Sequence, residues 1–131
     1  MKVMLDTNIL ISSFIFKSKN IYQLIEKLST KHQIIISEYC IEELKEVVRR
    51  KFRANEKCID VFLESFPFRL VKTPEKIEKR LFEIRDDEDY IILHTAIIED
   101  VDVFITGDKD FKDVDINKPK IMTIKEFLNQ Y

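Results

Sequence analysis

The chain has 131 residues, of which 45% are apolar, and no apolar run approaches the length of a membrane span. This size and composition predict one globular domain over residues 1–131 and argue against a membrane protein. With 22 basic and 24 acidic residues the net charge is −2, so overall charge does not hold this protein on nucleic acid. A local basic surface is still compatible with these numbers.

Strands and helices are predicted to alternate, because short apolar runs favour buried strands and apolar stripes at helical spacing favour helices. In chain order, the first half contains a strand at 2–5, helices at 7–15 and 19–31, a strand at 33–36, and helices at 38–52 and 56–65. The second half contains a strand at 68–71, a short helix after Pro74, a helix at 88–100, strands at 101–105 and 120–122, and a helix at 124–129.

This alternation predicts an α/β fold with a parallel or mostly parallel central sheet of about five strands. Helices are expected on both faces of the sheet, which makes a three-layer α/β/α arrangement. The three prolines fall between the predicted elements, and the chain contains no repeat, low-complexity tract or linker. These features again predict a single compact domain.

The two cysteines, Cys40 and Cys58, do not have a spacing typical of a zinc or redox site. We interpret both as buried packing residues in a reducing cytosol, and a disulfide between them is the alternative. Too little apolar sequence precedes Asp6 for a signal peptide, which also predicts a cytoplasmic protein.

Two aspartates directly follow predicted parallel strands, Asp6 after 2–5 and Asp108 after 101–105 through Thr106 and Gly107. In an open α/β sheet, ligands bind outside the carboxyl ends of the strands, where both side chains are expected. The alternatives are structural: Asp6 would cap the next helix, and Asp108 would belong to an ordinary Gly-Asp turn.

Two further acids lie on predicted helices. Glu43 is at the margin of an apolar helix face, where the alternative is a surface salt bridge. Asp89 aligns with Leu93 and Ala96 on the inward face, where an unpartnered carboxylate is costly to bury. The alternative for Asp89 is that it complements the helix dipole together with the acids before it. Four carboxylates gathered at one edge repel one another unless a cation joins them, and a hard divalent ion suits such oxygen ligands.

Four sequence motifs resemble those of the PIN domain, a small metal-dependent ribonuclease fold shared with 5′-nucleases. The resemblance covers almost the whole chain in the same order. It is carried by Val3-Met4-Leu5-Asp6-Thr7-Asn8, by Ser37-Glu38-Tyr39 through Glu43-Leu44, by Arg85-Asp86-Asp87-Glu88-Asp89, and by Phe104-Ile105-Thr106-Gly107-Asp108-Lys109-Asp110. Within the family the chain is most similar to toxins of toxin–antitoxin systems related to VapC. That branch usually has a proline and an aspartate where this chain has Asp87 and Glu88, which we interpret as loop variation.

The resemblance implies a metal-dependent endoribonuclease that hydrolyses RNA phosphodiester bonds through carboxylate-bound Mg²⁺ or Mn²⁺. Matching positions make Asp6, Glu43, Asp89 and Asp108 the catalytic and metal-binding residues. The expected supporting residues are Thr7, Asn8, Asp86, Thr106 and Asp110. Asp6 is expected to be the central ligand, and Glu43 to bind a second ion or orient the attacking water. The implied partners are an RNA substrate, a small antitoxin protein and a second copy of the chain.

The densest basic patch follows Glu43 on its predicted helix, and its members are Arg49, Arg50, Lys51 and Arg53. These residues are candidates for contact with RNA phosphates, although cations also favour a helix C-terminus without any ligand. The two histidines, His32 and His94, match no motif position, and His94 is predicted to face away from Asp89.

Two other classes of function compete with the nuclease. A PIN fold that binds protein or RNA without catalysis is the first, and the complete set of four acids argues against it. A phosphate-handling α/β domain is the second. A haloacid-dehalogenase type would need an aspartate where Asn8 stands, and a response-regulator type would need an acceptor aspartate after 68–71, where none occurs.

Overall fold

The computed structural model describes residues 1–131 and contains five strands and six α-helices. The strands are β1 (Lys2–Leu5), β2 (Gln33–Ser37), β3 (Phe68–Val71), β4 (Val103–Ile105) and β5 (Lys120–Met122). The helices are α1 (Thr7–Ile11), α2 (Lys19–Lys31), α3 (Glu38–Lys51), α4 (Ile59–Ser65), α5 (Asp87–Ile98) and α6 (Ile124–Gln130). A π-helical turn at Ser12–Phe16 extends α1, and 3-10 turns cover Arg53–Cys58 and Lys109–Phe111.

All five strands are parallel and lie in the order β3-β2-β1-β4-β5. Met4 in the central strand pairs with Ile35 of β2 on one side and with Phe104 of β4 on the other. From β1 the chain builds the sheet outward through β2 and β3, and later returns to build β4 and β5 on the opposite side. The strand order therefore reverses between β1 and β4, which opens a crevice beyond the carboxyl ends of these two strands.

The core lies on both faces of the three inner strands. Val3, Met4 and Leu5 of β1 are fully buried, and β2 and β4 are apolar and buried over nearly their whole length. Helices α1, α3 and α5 each contribute apolar side chains to one continuous cluster with the sheet. Strands buried on both faces read as unbroken apolar runs, which is why the sequence pattern predicts them well.

The α/β architecture with a five-stranded parallel sheet is confirmed, with local differences at element ends. The helix expected at 7–15 changes to a π-helical turn after Ile11, where the Ser13 hydroxyl donates to the Ile9 carbonyl and the Lys17 amide donates to that of Ser12. The strand expected at 101–105 begins only at Val103, because the amide of Val101 still closes the end of α5 on Ala96.

Two expectations are wrong. No helix forms in the segment 72–86 after Pro74, which connects β3 to α5. Cys58 is exposed, whereas Cys40 is buried as expected, and both thiols are free. At the junction of the 3-10 turn and α4 it is the neighbouring Ile59 that points into the core, so Cys58 is left facing outward. No helix combines the length and the apolar character needed to cross a membrane.

Candidate metal centre

Asp6 lies at the bottom of the crevice between β1 and β4, and only 3% of it is exposed. Its amide donates to the carbonyl of Ile105 at 3.0 Å, which ties the ends of the two strands together. One carboxylate oxygen, Oδ1, accepts from the Thr7 amide at 2.8 Å and so caps α1. The other, Oδ2, accepts from the Thr106 hydroxyl at 2.7 Å. The capping alternative is thus realised, but it uses only one of the two oxygens.

The Thr106 hydroxyl connects Asp6 to the loop after β4. Besides donating to Asp6, it accepts a hydrogen bond from the amide of Asp108 at 3.0 Å. The Asp108 carboxylate in turn accepts from the amide of Asp110 at 2.9 Å and caps the 3-10 turn Lys109–Phe111. A chain of three hydrogen bonds therefore connects Asp6 to the Asp108 carboxylate and to the backbone of Asp110.

Three carboxylates meet at the mouth of the crevice. Asp89 comes from the first turn of α5, and Asp108 and Asp110 come from the loop after β4; their nearest carboxylate oxygens all lie within 4.8 Å of one another. We call these three residues the carboxylate group. Opposite ligands of a divalent ion stand about 4–5 Å apart at usual metal–oxygen distances, so this spacing fits an ion. All three side chains are only partly buried, which leaves room for the water ligands that Mg²⁺ retains.

Burial and the negative charges of neighbouring carboxylates raise the pKa values of Asp6 and Asp89. Burial, reinforced by the nearby Asp108, Asp86, Asp6 and Asp110 charges, raises the pKa of Asp89 to about 7. Burial also raises the pKa of Asp6 to about 6 against the opposing hydrogen bonds from Thr106 and Thr7, and the charge of Glu43 contributes to the rise. Without a cation the site therefore holds protons at pH values where exposed carboxyl groups have lost them.

The structure brings the predicted acids together unequally. Asp89 and Asp108 lie in the carboxylate group, whereas Asp6 and Glu43 lie outside it. The charge of Asp6 raises the pKa of Asp89, and the charge of Glu43 raises that of Asp6. Glu43 is half-buried on α3, in agreement with its place at the margin of the apolar face. Asp110, expected only as a supporting residue, is a full member of the carboxylate group.

The other supporting residues have separate positions. Thr7 is buried, and its hydroxyl has no hydrogen-bond partner, whereas Asn8 is exposed on α1. Asp86 caps α5 by accepting from the amides of Glu88 and Asp89 at 2.7 and 3.3 Å, which orients the turn that carries Asp89. Glu88 is exposed and faces Tyr39 at the start of α3, whose hydroxyl pKa it raises in addition to the effect of burial.

One functional candidate was missed by the sequence reasoning. The guanidinium of Arg85 lies 3.0 Å from Oδ2 of Asp110, and this is the only ion pair that the carboxylate group makes. A basic residue directly before the acidic run 86–89 was the available signal, but the pairing partner is 25 residues away along the chain.

The basic patch and the two histidines are not part of the carboxylate group. Arg49, Arg50, Lys51 and Arg53 are all exposed around the C-terminal end of α3, and Arg49 pairs with Glu46. At the helical rise per residue, Arg49 is about 9 Å further along α3 than Glu43. His94 is buried and its Nε2 accepts from the amide of Glu78, while His32 packs near Phe127 and Tyr131.

The fold is similar to that of several solved toxin–antitoxin proteins. A chain of VapBC2 from Rickettsia felis, solved bound to a promoter DNA fragment, has a TM-score of 0.74 and 24% identity, covering 94% of this chain and 98% of that one. VapBC-1 from nontypeable Haemophilus influenzae has a TM-score of 0.69 and 20% identity, covering 95% of this chain and 99% of that one. The sarcin-ricin loop cleaving toxin VapC20 of Mycobacterium tuberculosis has a TM-score of 0.61 and 13% identity, covering 84% of this chain and 92% of that one.

These likenesses concern the fold, since each identity is below 25%. A comparison with curated proteins gave no significant match. The sequence itself matches the PIN domain family over residues 2–110, a range that includes Asp6, Glu43 and the whole carboxylate group. This match covers well over half of the chain, so the protein belongs to the PIN domain family.

Proposed function

We propose that this PIN domain, spanning residues 1–131, is a metal-dependent endoribonuclease that hydrolyses RNA phosphodiester bonds. The observation that carries the proposal is the carboxylate group at the mouth of the β1–β4 crevice, with the buried Asp6 behind it. Membership of the PIN domain family and the description of one structural neighbour as a toxin that cleaves the sarcin-ricin loop support RNA as the substrate class.

Asp89, Asp108 and Asp110 would hold an Mg²⁺ or Mn²⁺ ion, with Asp6 close enough to act on it through its charge. Such an ion supplies a water of lowered pKa and neutralises the charge that develops on the phosphate during hydrolysis. Carboxylates are the appropriate donors for these hard cations. Glu43, on α3 and near enough to Asp6 to raise its pKa, is proposed to hold a second ion or to accept a hydrogen bond from the attacking water.

The protein's own contribution is to orient these ligands and to control their protonation. Thr106 holds one oxygen of the Asp6 carboxylate and the backbone amide of Asp108, and the amide of Asp110 holds the Asp108 carboxylate. Asp86 fixes the first turn of α5 and hence the direction of Asp89. Because Asp89 has a pKa of about 7, it releases its proton near neutral pH, and a bound cation would favour that release.

We further propose that the protein is the toxin of a toxin–antitoxin pair and that a small antitoxin protein restrains it. Two structural neighbours are described as VapBC proteins and a third as a toxin–antitoxin complex, which supports this class of partner. A homodimer and a cytoplasmic location, where RNA substrates occur, belong to the same proposal. The exposed basic residues Arg49, Arg50, Lys51 and Arg53 are proposed to contact the RNA backbone beside the site.

The test is cleavage of single-stranded and structured RNA by metal-stripped protein, with Mg²⁺ or Mn²⁺ added back. We expect cleavage that requires the ion and that is lost in Asp6→Asn and Asp108→Asn, both of which should stay folded. Asp113→Asn is the matched control, because it makes the same change at an exposed acid near the site, and it should cleave normally.

Other outcomes separate the alternatives. Equal faint cleavage by wild type and both site variants would indicate a contaminating nuclease. A folded protein that binds neither Mn²⁺ nor Mg²⁺ and cleaves no RNA would contradict the proposal and favour a PIN fold used only for binding. If Asp6→Asn unfolds, its role is structural, and Asp108→Asn then decides whether the carboxylates are needed for cleavage.

A further inference from the structure

Arg85 lies beside the carboxylate group and contacts one of its members, Asp110. It is the last residue before Asp86, the cap of α5, and its guanidinium reaches the loop after β4 to meet Asp110 at 3.0 Å. The side chain is thus attached to the helix that carries Asp89 and points at the loop that carries Asp108 and Asp110. No other basic residue pairs with any of these three carboxylates.

The guanidinium is only partly engaged. One terminal nitrogen contacts Asp110, while 85% of the Arg85 side chain is exposed to solvent. A guanidinium has five N–H donors in a planar fork, so most of its donors are directed away from the protein. An exposed pair of this kind contributes little to stability, and the arginine can therefore exchange partners readily.

The location favours a phosphate as the second partner. A phosphodiester that approaches the carboxylate group brings a negative charge toward a strongly negative surface, so a cation beside the group is needed on the substrate side. Arginine matches the geometry of phosphate oxygens through paired hydrogen bonds. The basic patch on α3 is less well placed for this purpose, because Arg49 already lies about 9 Å along the helix from Glu43.

We propose that Arg85 is a substrate-binding residue that contacts the RNA phosphate at the carboxylate group and is held ready there by Asp110. This inference deepens the proposed nuclease function and rests on it, because it assigns the substrate side of the same site. In this arrangement Asp110 accepts a hydrogen bond from Arg85 through Oδ2 and also belongs to the carboxylate group, so the same residue would help to place both Arg85 and the bound ion.

The experiment compares Arg85→Gln and Arg85→Lys with Arg69→Gln, which removes the same charge from an exposed arginine on the edge strand β3. All three are made in the Asp6→Asn background, so that a fluorescent single-stranded RNA is bound without being cut. RNA affinity is measured by anisotropy between 50 and 200 mM salt with Mn²⁺ present, a range over which phosphate contacts are resolved. Mn²⁺ affinity is measured separately by electron paramagnetic resonance.

We expect Arg85→Gln to weaken RNA binding roughly three- to tenfold and to reduce the salt slope by about one, while Mn²⁺ affinity changes less than about twofold. Arg85→Lys should keep the salt slope but recover only part of the affinity, because an ammonium lacks the paired donors. Arg69→Gln should resemble the parent protein in all three measurements.

Two results would overturn the assignment. The first is RNA affinity and a salt slope in Arg85→Gln that equal those of Arg69→Gln. The second is a loss of RNA binding that follows a matching loss of Mn²⁺ affinity, which would make Arg85 a residue that positions Asp110. Thermal unfolding of each variant shows whether the fold is intact. If the wild-type protein cuts no RNA at all, the nuclease proposal fails, whereas the binding comparison still decides whether Arg85 contacts phosphate.

Discussion

At the scale of single residues, Thr106 has more influence on the site than its short side chain suggests. Its buried hydroxyl donates to Asp6 and accepts from the Asp108 amide, so it joins the acid at the end of β1 to the acid after β4. The same hydrogen bond lowers the pKa of Asp6 and opposes the effect of burial. A residue in this position orients a ligand without being one.

Thr106→Val keeps the shape of the side chain and removes the hydroxyl, which takes a hydrogen-bond partner from the buried Asp6 carboxylate and from the partly buried amide of Asp108. We expect the free energy of unfolding to fall by about 1–3 kcal/mol and Mn²⁺ affinity to fall about 10–100-fold. Thr106→Ser retains the hydroxyl and should stay close to wild type in Mn²⁺ affinity. Urea unfolding and Mn²⁺ titration measure the two quantities, and equal Mn²⁺ affinities in the two variants would contradict this role.

At the scale of elements, the segment 72–86 was expected to contain a short helix and does not. Ile77, Leu81 and Ile84 have helical spacing, but it is Phe82 that is buried, stacked on Tyr90 of α5 at 4.2 Å. The Tyr90 hydroxyl donates to the carbonyl of residue 78 and accepts from the amide of Leu81, both of which a helix would pair internally. Contacts with α5 have therefore overridden the helical preference of this segment.

Tyr90→Phe should loosen this segment without unfolding the protein. It removes the hydroxyl that holds two backbone groups, so we expect faster hydrogen exchange at the amide of Leu81 and a loss of about 1 kcal/mol in unfolding free energy. Tyr22→Phe is the matched control, because that tyrosine is exposed and its hydroxyl makes no hydrogen bond. Unchanged protection of Leu81 in Tyr90→Phe would show that the Phe82 stacking alone holds the segment.

Features that depend on neighbouring residues could be predicted from the sequence, whereas features that depend on contacts between distant residues could not. The inner strands were predictable because a strand buried on both faces must be an unbroken apolar run, and Asp6 and Asp108 because they follow such strands. The places of Asp110 and Arg85 were not predictable. They depend on a 3-10 turn that directs one side chain back to the site and on a contact across 25 residues.

At the scale of the whole molecule, a net charge of −2 hides a strongly uneven distribution. The sheet topology gathers the acids at the β1–β4 crevice, whereas the cations of α3 lie toward the other end of that helix. The acids at this edge of the sheet repel one another, and a bound cation would reduce the repulsion. The free energy of unfolding should therefore depend on pH and on metal binding through these acids.

The sign of that linkage follows from the two raised pKa values. Asp6 and Asp89, with pKa values of about 6 and 7 in the folded protein, keep protons that the unfolded chain releases near its ordinary value of 3.8. Their contribution to stability is therefore complete below about pH 4 and is lost as pH rises through 6 and 7. In the presence of EDTA, Asp89→Asn should raise the free energy of unfolding relative to wild type more at pH 8 than at pH 5.

We expect this difference to be about 1 kcal/mol or less, because Asp89 is partly exposed and solvent screens its interactions. Asp115→Asn, at an exposed acid, controls for the general loss of one negative charge. Adding Mn²⁺ should stabilise wild type more at pH 8 than at pH 5, since ion binding requires the deprotonated carboxylates, and should stabilise Asp89→Asn much less. Urea unfolding at both pH values measures these differences. A variant that gains equally at pH 5 and pH 8 would show that Asp89 titrates like an ordinary surface acid, and that the crevice does not concentrate charge in the way its geometry indicates.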